Sequence, residues 1–153
     1  MRVAVAGTFG PVHDGHRALF RTALEVGTDG VVVGLASDAF ARGKRDRSVP
    51  PYDRRRESVT TELNALDDWD RSVEIRAIDD ELDFAATDPD LDALVVSEET
   101  DDELAAVNEA RREHDLDPLV GVVVPLVRAA DGERISSTRV VRGEIDERGT
   151  VVE

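Results

Sequence analysis

Four largely apolar stretches punctuate the chain, at residues 3–6, 30–36, 91–96 and 119–125. Their continuity leaves no face for water, which predicts strands covered on both sides. A fifth stretch, 72–78, alternates polar and apolar positions and predicts a strand nearer an edge. Helical periodicity fills the intervals. Leu19, Phe20, Ala23 and Leu24 share one side of a helix over about 16–26, which Gly27 ends as a residue just past a helix commonly does. Val59, Leu63 and Leu66 form the inner stripe of another helix starting near Tyr52, because Pro50 and Pro51 stop any helix from running through. Thr100-Asp101-Asp102-Glu103 fits a capping box that opens a helix to about His114, with Leu104, Val107 and Arg111 on one line.

Strands alternating with helices in a chain of 153 residues predict one α/β domain. The expected architecture is a Rossmann-like, doubly wound parallel sheet of about five strands with helices on both faces, binding ligands at the carboxyl ends of its strands. Residues 119–125 are expected as the last central strand. Pro125 then turns the chain toward a turn at Asp131-Gly132. Ser37-Asp38 caps a short helix, 42–51 reads as a loop, 79–90 as an acidic connector, and 147–153 as a loose tail.

Charge narrows the partners. A net charge of −15 argues against a general binder of nucleic acid or of anionic membranes. The absence of cysteine excludes disulfides, thiolate nucleophiles and Cys-based metal sites. The start is too short in apolar length for a leader and no run is long enough to span a bilayer, so a cytoplasmic protein is expected. Lys44 is the only lysine among 19 basic residues, and the carboxylates are spread along the whole chain, a surface suited to the salt-rich cytoplasm of a halophile. Against that background, residues 42–56 hold seven basic residues to two acidic ones. This is either a phosphate-gripping loop or a solvated loop and helix start. Arginines 54–56 face the positive end of a helix dipole, which favours the first reading.

Candidate chemistry concentrates in Gly7-Thr8-Phe9-Gly10-Pro11-Val12-His13-Asp14-Gly15-His16. It lies between the first strand and the first helix. Gly7, Gly10 and Gly15 permit close approach of a ligand to the backbone, and the N–H groups of a helix beginning near Gly15 or His16 attract anions. His13 and His16 stand at that end. A second anion-binding candidate is Ile135-Ser136-Ser137-Thr138-Arg139, where Ser136 or Ser137 caps a short helix whose hydroxyls, N–H groups and Arg139 can face one anion. His114 reads as a surface or dipole-favoured histidine, and no protein metal site is expected.

The first segment resembles the G-T-F-D-x-x-H-x-G-H motif of the nucleotidyltransferase superfamily. Ile135-Ser136-Ser137-Thr138-Arg139-Val140-Val141-Arg142 and Val96-Ser97-Glu98-Glu99-Thr100 resemble the I-S-S-T-x-I-R and V-S-x-E-T segments of phosphopantetheine adenylyltransferases of the archaeal and eukaryotic type. The likeness runs from Arg2 to about Asp146, which sets 1–146 as a single nucleotidyltransferase domain. Two departures stand out. Gly10 replaces the family's usual Asp, and Val141 replaces the motif's Arg, leaving Arg142 or Arg139 to supply that charge.

What the resemblance implies is transfer of adenylate from ATP, with Mg²⁺, to 4′-phosphopantetheine, giving dephospho-coenzyme A and pyrophosphate. His16 would meet the α-phosphate and His13 the ATP phosphates, with Gly7, Phe9, Ser97 and Glu99 also on ATP. Thr8 and Lys44 would hold the attacking phosphate, and Ser136, Ser137, Thr138 and Arg142 the triphosphate. Coenzyme A is a further expected ligand, and the protein is expected as a monomer or small homo-oligomer. Two alternatives remain: another nucleotidyltransferase, such as an FAD synthetase or glycerol-phosphate cytidylyltransferase, and a non-catalytic nucleotide-binding module.

Overall fold

In the computed structural model the chain runs β1 (Arg2–Gly7), α1 (Asp14–Val26), β2 (Gly30–Ala36), α2 (Asp38–Lys44), α3 (Tyr52–Leu66), β3 (Val73–Ile78), a 3-10 turn (Asp83–Ala86), β4 (Ala93–Ser97), α4 (Asp101–Glu113), β5 (Val120–Val124) and α5 (Ser137–Val141). The structure describes residues 1–44, 47–80 and 82–152, without the side chains of Lys44 and Asp101.

Parity along the strands sorts the core. Val3, Val5, Val31, Val33, Leu35, Ala93 and Val95 pack on one face with Phe20, Ala23 and Leu24 of α1 and Val59 and Leu63 of α3. Their neighbours Ala4, Val32, Leu94 and Val96 pack on the other face with Val107 of α4 and Ala85 of the 3-10 turn. Pleating sends successive side chains to opposite faces, so a strand buried on both must be apolar throughout. The five strands are all parallel in the order β3-β2-β1-β4-β5. From β1 the chain steps outward through β2 and β3, then returns to build the other half. The loops after β1 and β4 therefore diverge at the middle of the sheet, where such folds open a crevice.

Four local expectations are corrected. The run 119–125 forms an edge strand, not a central one, and Val120 and Val123 are 54% and 49% exposed. Valine content marks a strand without marking its neighbours. The residues expected as a loop from 42 onward begin as helix, since α2 runs through Lys44. No capping box forms at Thr100, whose Oγ1 instead accepts from the Ser97 N–H at 3.1 Å. Residues 147–152, expected as a loose tail, are tied down: the Glu147 carbonyl accepts from Asp14 N–H, the Gly149 carbonyl from Ala130 N–H, and Ile145 bridges Val151. Ile145 is the reason. It is buried with Ala129 and Ile135 in a small third cluster that the terminal segment has to close.

Candidate active site

The first helix begins at Asp14, two residues before the start expected near His16, because a histidine caps it. His13 is the N-cap, its Nδ1 accepting from Gly15 N–H at 3.0 Å, while His16 Nδ1 accepts from His13 N–H at 3.3 Å. This is a reciprocal capping box built from two imidazoles. Their rings stack at 3.8 Å between centroids and 20° between planes. Gly15 is required between them, since a Cβ there would lie 2.7 Å from His13 Cε1. With Nδ1 accepting, a neutral imidazole carries its proton on Nε2 and presents it as a donor. Burial, followed by the positive charges of Arg134 and Arg17, lowers the His13 pKa from 6.5 to about 4, against a smaller opposing effect of Asp14. His13 is thus a neutral donor at physiological pH.

Both histidines line a cavity of about 360 Å³ at the carboxyl ends of the strands. Gly7, Thr8 and Phe9 contribute from the first loop, Ser97, Glu99 and Thr100 from the loop after β4, and Arg47, Arg134, Ile135 and Ser137 from the remaining rim. Phe9 sits under His16, edge to face at 4.9 Å. Ser97 Oγ and Thr100 Oγ1 are 3.1 Å apart. Ser137 Oγ donates to the Pro11 carbonyl, joining α5 to the first loop.

Other expected residues fall elsewhere. Ser136 Oγ accepts from Arg139 N–H as the N-cap of α5, and Thr138 Oγ1 accepts from Arg47 Nε at 3.2 Å. Neither lines the cavity, and Arg142 is exposed at the end of α5. Arg139, read as an anion ligand, is engaged by Asp131 and Glu144. Lys44 ends α2, and its side chain lies outside the described residues.

Gly10 and Arg55, read as ligand-facing, serve the protein's own packing. A Cβ on Gly10 would stand 2.7 Å from Arg55 Cδ. Arg55 is 1% exposed, and it donates from Nε to the Pro50 carbonyl at 2.7 Å and from Nη1 to the Thr8 and Ala36 carbonyls at 3.0 and 2.8 Å. Its Nη2 meets Asp38 Oδ1 at 3.1 Å. The guanidinium thus ties the first loop to the end of β2 and the start of α3. Three arginines opening a helix at its positive end signal something unusual, and for Arg55 the acceptors are three carbonyls and the Asp38 carboxylate in place of a bound anion.

Residues 4–143 match the cytidylyltransferase-like family. The chain belongs to that family. Within it, the chain is 40% identical over 146 residues to the phosphopantetheine adenylyltransferase of Methanopyrus kandleri, covering 95% of this chain and 91% of that protein. It is 37% identical to the Archaeoglobus fulgidus protein of the same name, over 99% of this chain and all of the relative. A bifunctional phosphopantetheine adenylyltransferase/NTP phosphatase of Thermoplasma acidophilum is 38% identical, and there the chain spans 44% of the relative. Among solved structures, a protein of unknown function from Archaeoglobus fulgidus superposes with a TM-score of 0.72 at 33% identity, over 81% of this chain and 89% of that one. A tyrosyl-tRNA synthetase from the same organism, at 15% identity and a TM-score of 0.60 over 90% of this chain and 59% of its own, shares the fold.

Proposed function

We propose that this cytidylyltransferase-like protein transfers adenylate from ATP to 4′-phosphopantetheine, giving dephospho-coenzyme A and pyrophosphate, a step of coenzyme A biosynthesis. The observation that carries the reading is the histidine-capped start of α1 inside the cavity, in a chain similar along nearly its whole length to proteins named for this activity. A phosphate oxygen of phosphopantetheine attacks the α-phosphorus of ATP in line, and the bond to the bridging oxygen of pyrophosphate breaks. The nucleophile comes from the substrate, so the protein's part is positioning and charge stabilisation.

In this reading His16 Nε2–H donates to the α-phosphate as charge develops, and the neutral His13 donates to a neighbouring phosphate oxygen. Thr8 and Lys44 hold the attacking phosphate. Ser97, Glu99 and Ser137 line the nucleotide's side of the cavity, with Gly7 and Phe9 forming its floor. Coenzyme A, as a relative of the product, is a further candidate ligand. Among the described residues no group of three or more His, Asp or Glu side chains is placed to hold a metal. The donor set of N–H, hydroxyl and guanidinium groups suits a magnesium that enters on the phosphate oxygens of ATP with its own waters. Held in that way, the ion would supply positive charge against the leaving pyrophosphate. No helix among the described residues is long and apolar enough to cross a membrane.

Replacing His16 with Ala tests the site. Loss of one such donor is worth about 10²–10³ in kcat, read as dephospho-coenzyme A formed per enzyme. Retention of the parent kcat would remove His16 from the reaction.

A further inference from the structure

Val141 leaves the I-S-S-T segment without its usual arginine, and the two neighbours that could replace it are elsewhere. Arg139 is held by Asp131, by Glu144 and by the Arg134 carbonyl, and Arg142 is exposed outside the cavity wall. Val141 itself is 47% exposed. A nucleoside triphosphate nonetheless brings several negative charges into this cavity, and a cation has to meet them.

Arg134 has the required position. It lines the same cavity as His13, His16 and Ser137. Its backbone is fixed: it bridges Arg128 in antiparallel fashion, its carbonyl accepts from Arg139 Nη1 at 3.0 Å, and the next residue donates to the Val127 carbonyl. Its side chain is not fixed in that way. It is 52% exposed, and its Nε lies 3.1 Å from Oε2 of Glu99, itself 43% exposed, on the loop after β4. The pair therefore spans two sides of the cavity mouth.

We propose that Arg134 supplies the positive charge for the β- and γ-phosphates of the nucleotide, exchanging its ion pair with Glu99 for phosphate oxygens when ATP binds. The proposal rests on the adenylyl-transfer reading only in taking a nucleoside triphosphate as the ligand. An ion pair this exposed contributes little. A guanidinium facing phosphate offers a planar fork to two oxygens and a larger opposing charge, so the exchange is favourable. Glu99, once released, is already half in water. The influence of Arg134 on the His13 pKa, second only to burial, agrees with its nearness to the proposed phosphate donors.

Titration calorimetry of the full chain with ATP and with AMP, at one fixed KCl concentration, tests this. Arg134→Gln is expected to weaken ATP binding about tenfold to a hundredfold, the effect of one charge-assisted contact, and to leave AMP within about twofold. Arg134→Lys should recover part of the loss. Unchanged ATP affinity in Arg134→Gln would overturn the proposal, as would a parallel loss for AMP. Because these readouts are binding, a parent that holds ATP but makes no dephospho-coenzyme A defeats the transfer reading and leaves the assignment of Arg134 to its own data. A parent that does not bind ATP overturns both.

Discussion

His13 does two jobs with one ring. Its Nδ1 caps the helix and its Nε2–H is left to donate, and the cap requires the neutral imidazole, since a protonated Nδ1 no longer accepts. The cost appears in acid. The folded state holds His13 neutral down to about pH 4, whereas an unfolded histidine takes its proton near 6.5. Between those values the unfolded chain binds more protons, and folding stability falls as pH drops from about 6.5 to about 4, by on the order of 3 kcal/mol in total. Carboxylates held low by their partners, such as Glu62 beside Arg17, lose their contribution further down, as pH falls through values below their ordinary 4.5. Urea unfolding at pH 7.5 and pH 5 separates the two. His13→Asn, which keeps an N-cap acceptor without titrating in this range, should remove most of the loss between these pH values. An unchanged loss in the variant would place its origin elsewhere.

At the level of elements, α3 and the first loop are one construction. Arg55 gathers the carbonyls of Thr8, Ala36 and Pro50, and Gly10 leaves the space its side chain occupies. Arg55→Met would strand three carbonyls and is expected to lower stability by about 3 kcal/mol or more. Gly10→Ala, forced against a pinned Cδ, should cost about 1–3 kcal/mol. Both are read from urea midpoints, and a midpoint within error of the parent for Arg55→Met would contradict the clamp. What was legible in the sequence follows from the same physics. Doubly buried strands announce themselves by unbroken apolar runs, and the glycine–histidine segment by its place between strand and helix. The edge position of β5 was not legible, because pairing partners leave no trace in a run of valines. Nor was the role of Arg55, since an arginine bonded to buried carbonyls and one awaiting a phosphate look alike in a chain of letters. Arg134 escaped notice beside the more conspicuous Ser136-Ser137-Thr138, although only Ser137 of those three reaches the cavity.

For the whole molecule, topology and charge pull in opposite directions. The return of the chain across β1 to β4 brings the capped start of α1, the loop after β4 and the segment before α5 to one crevice. In the proposed reaction that crevice takes polyanions, in a chain of net charge −15. At molar salt the Debye length shrinks to about 3 Å, so the surrounding carboxylates are screened and short-range donors within the cavity decide binding. The deciding measurement is therefore pyrophosphate release in high KCl with magnesium, offering ATP or CTP as donor and 4′-phosphopantetheine, FMN or glycerol 3-phosphate as acceptor. Release from ATP with 4′-phosphopantetheine alone is the predicted result. Release with a different pair would move the protein to another activity of its family, and a folded, ATP-binding protein silent with every pair would contradict the account, leaving the histidine-capped cavity as a binding site without turnover.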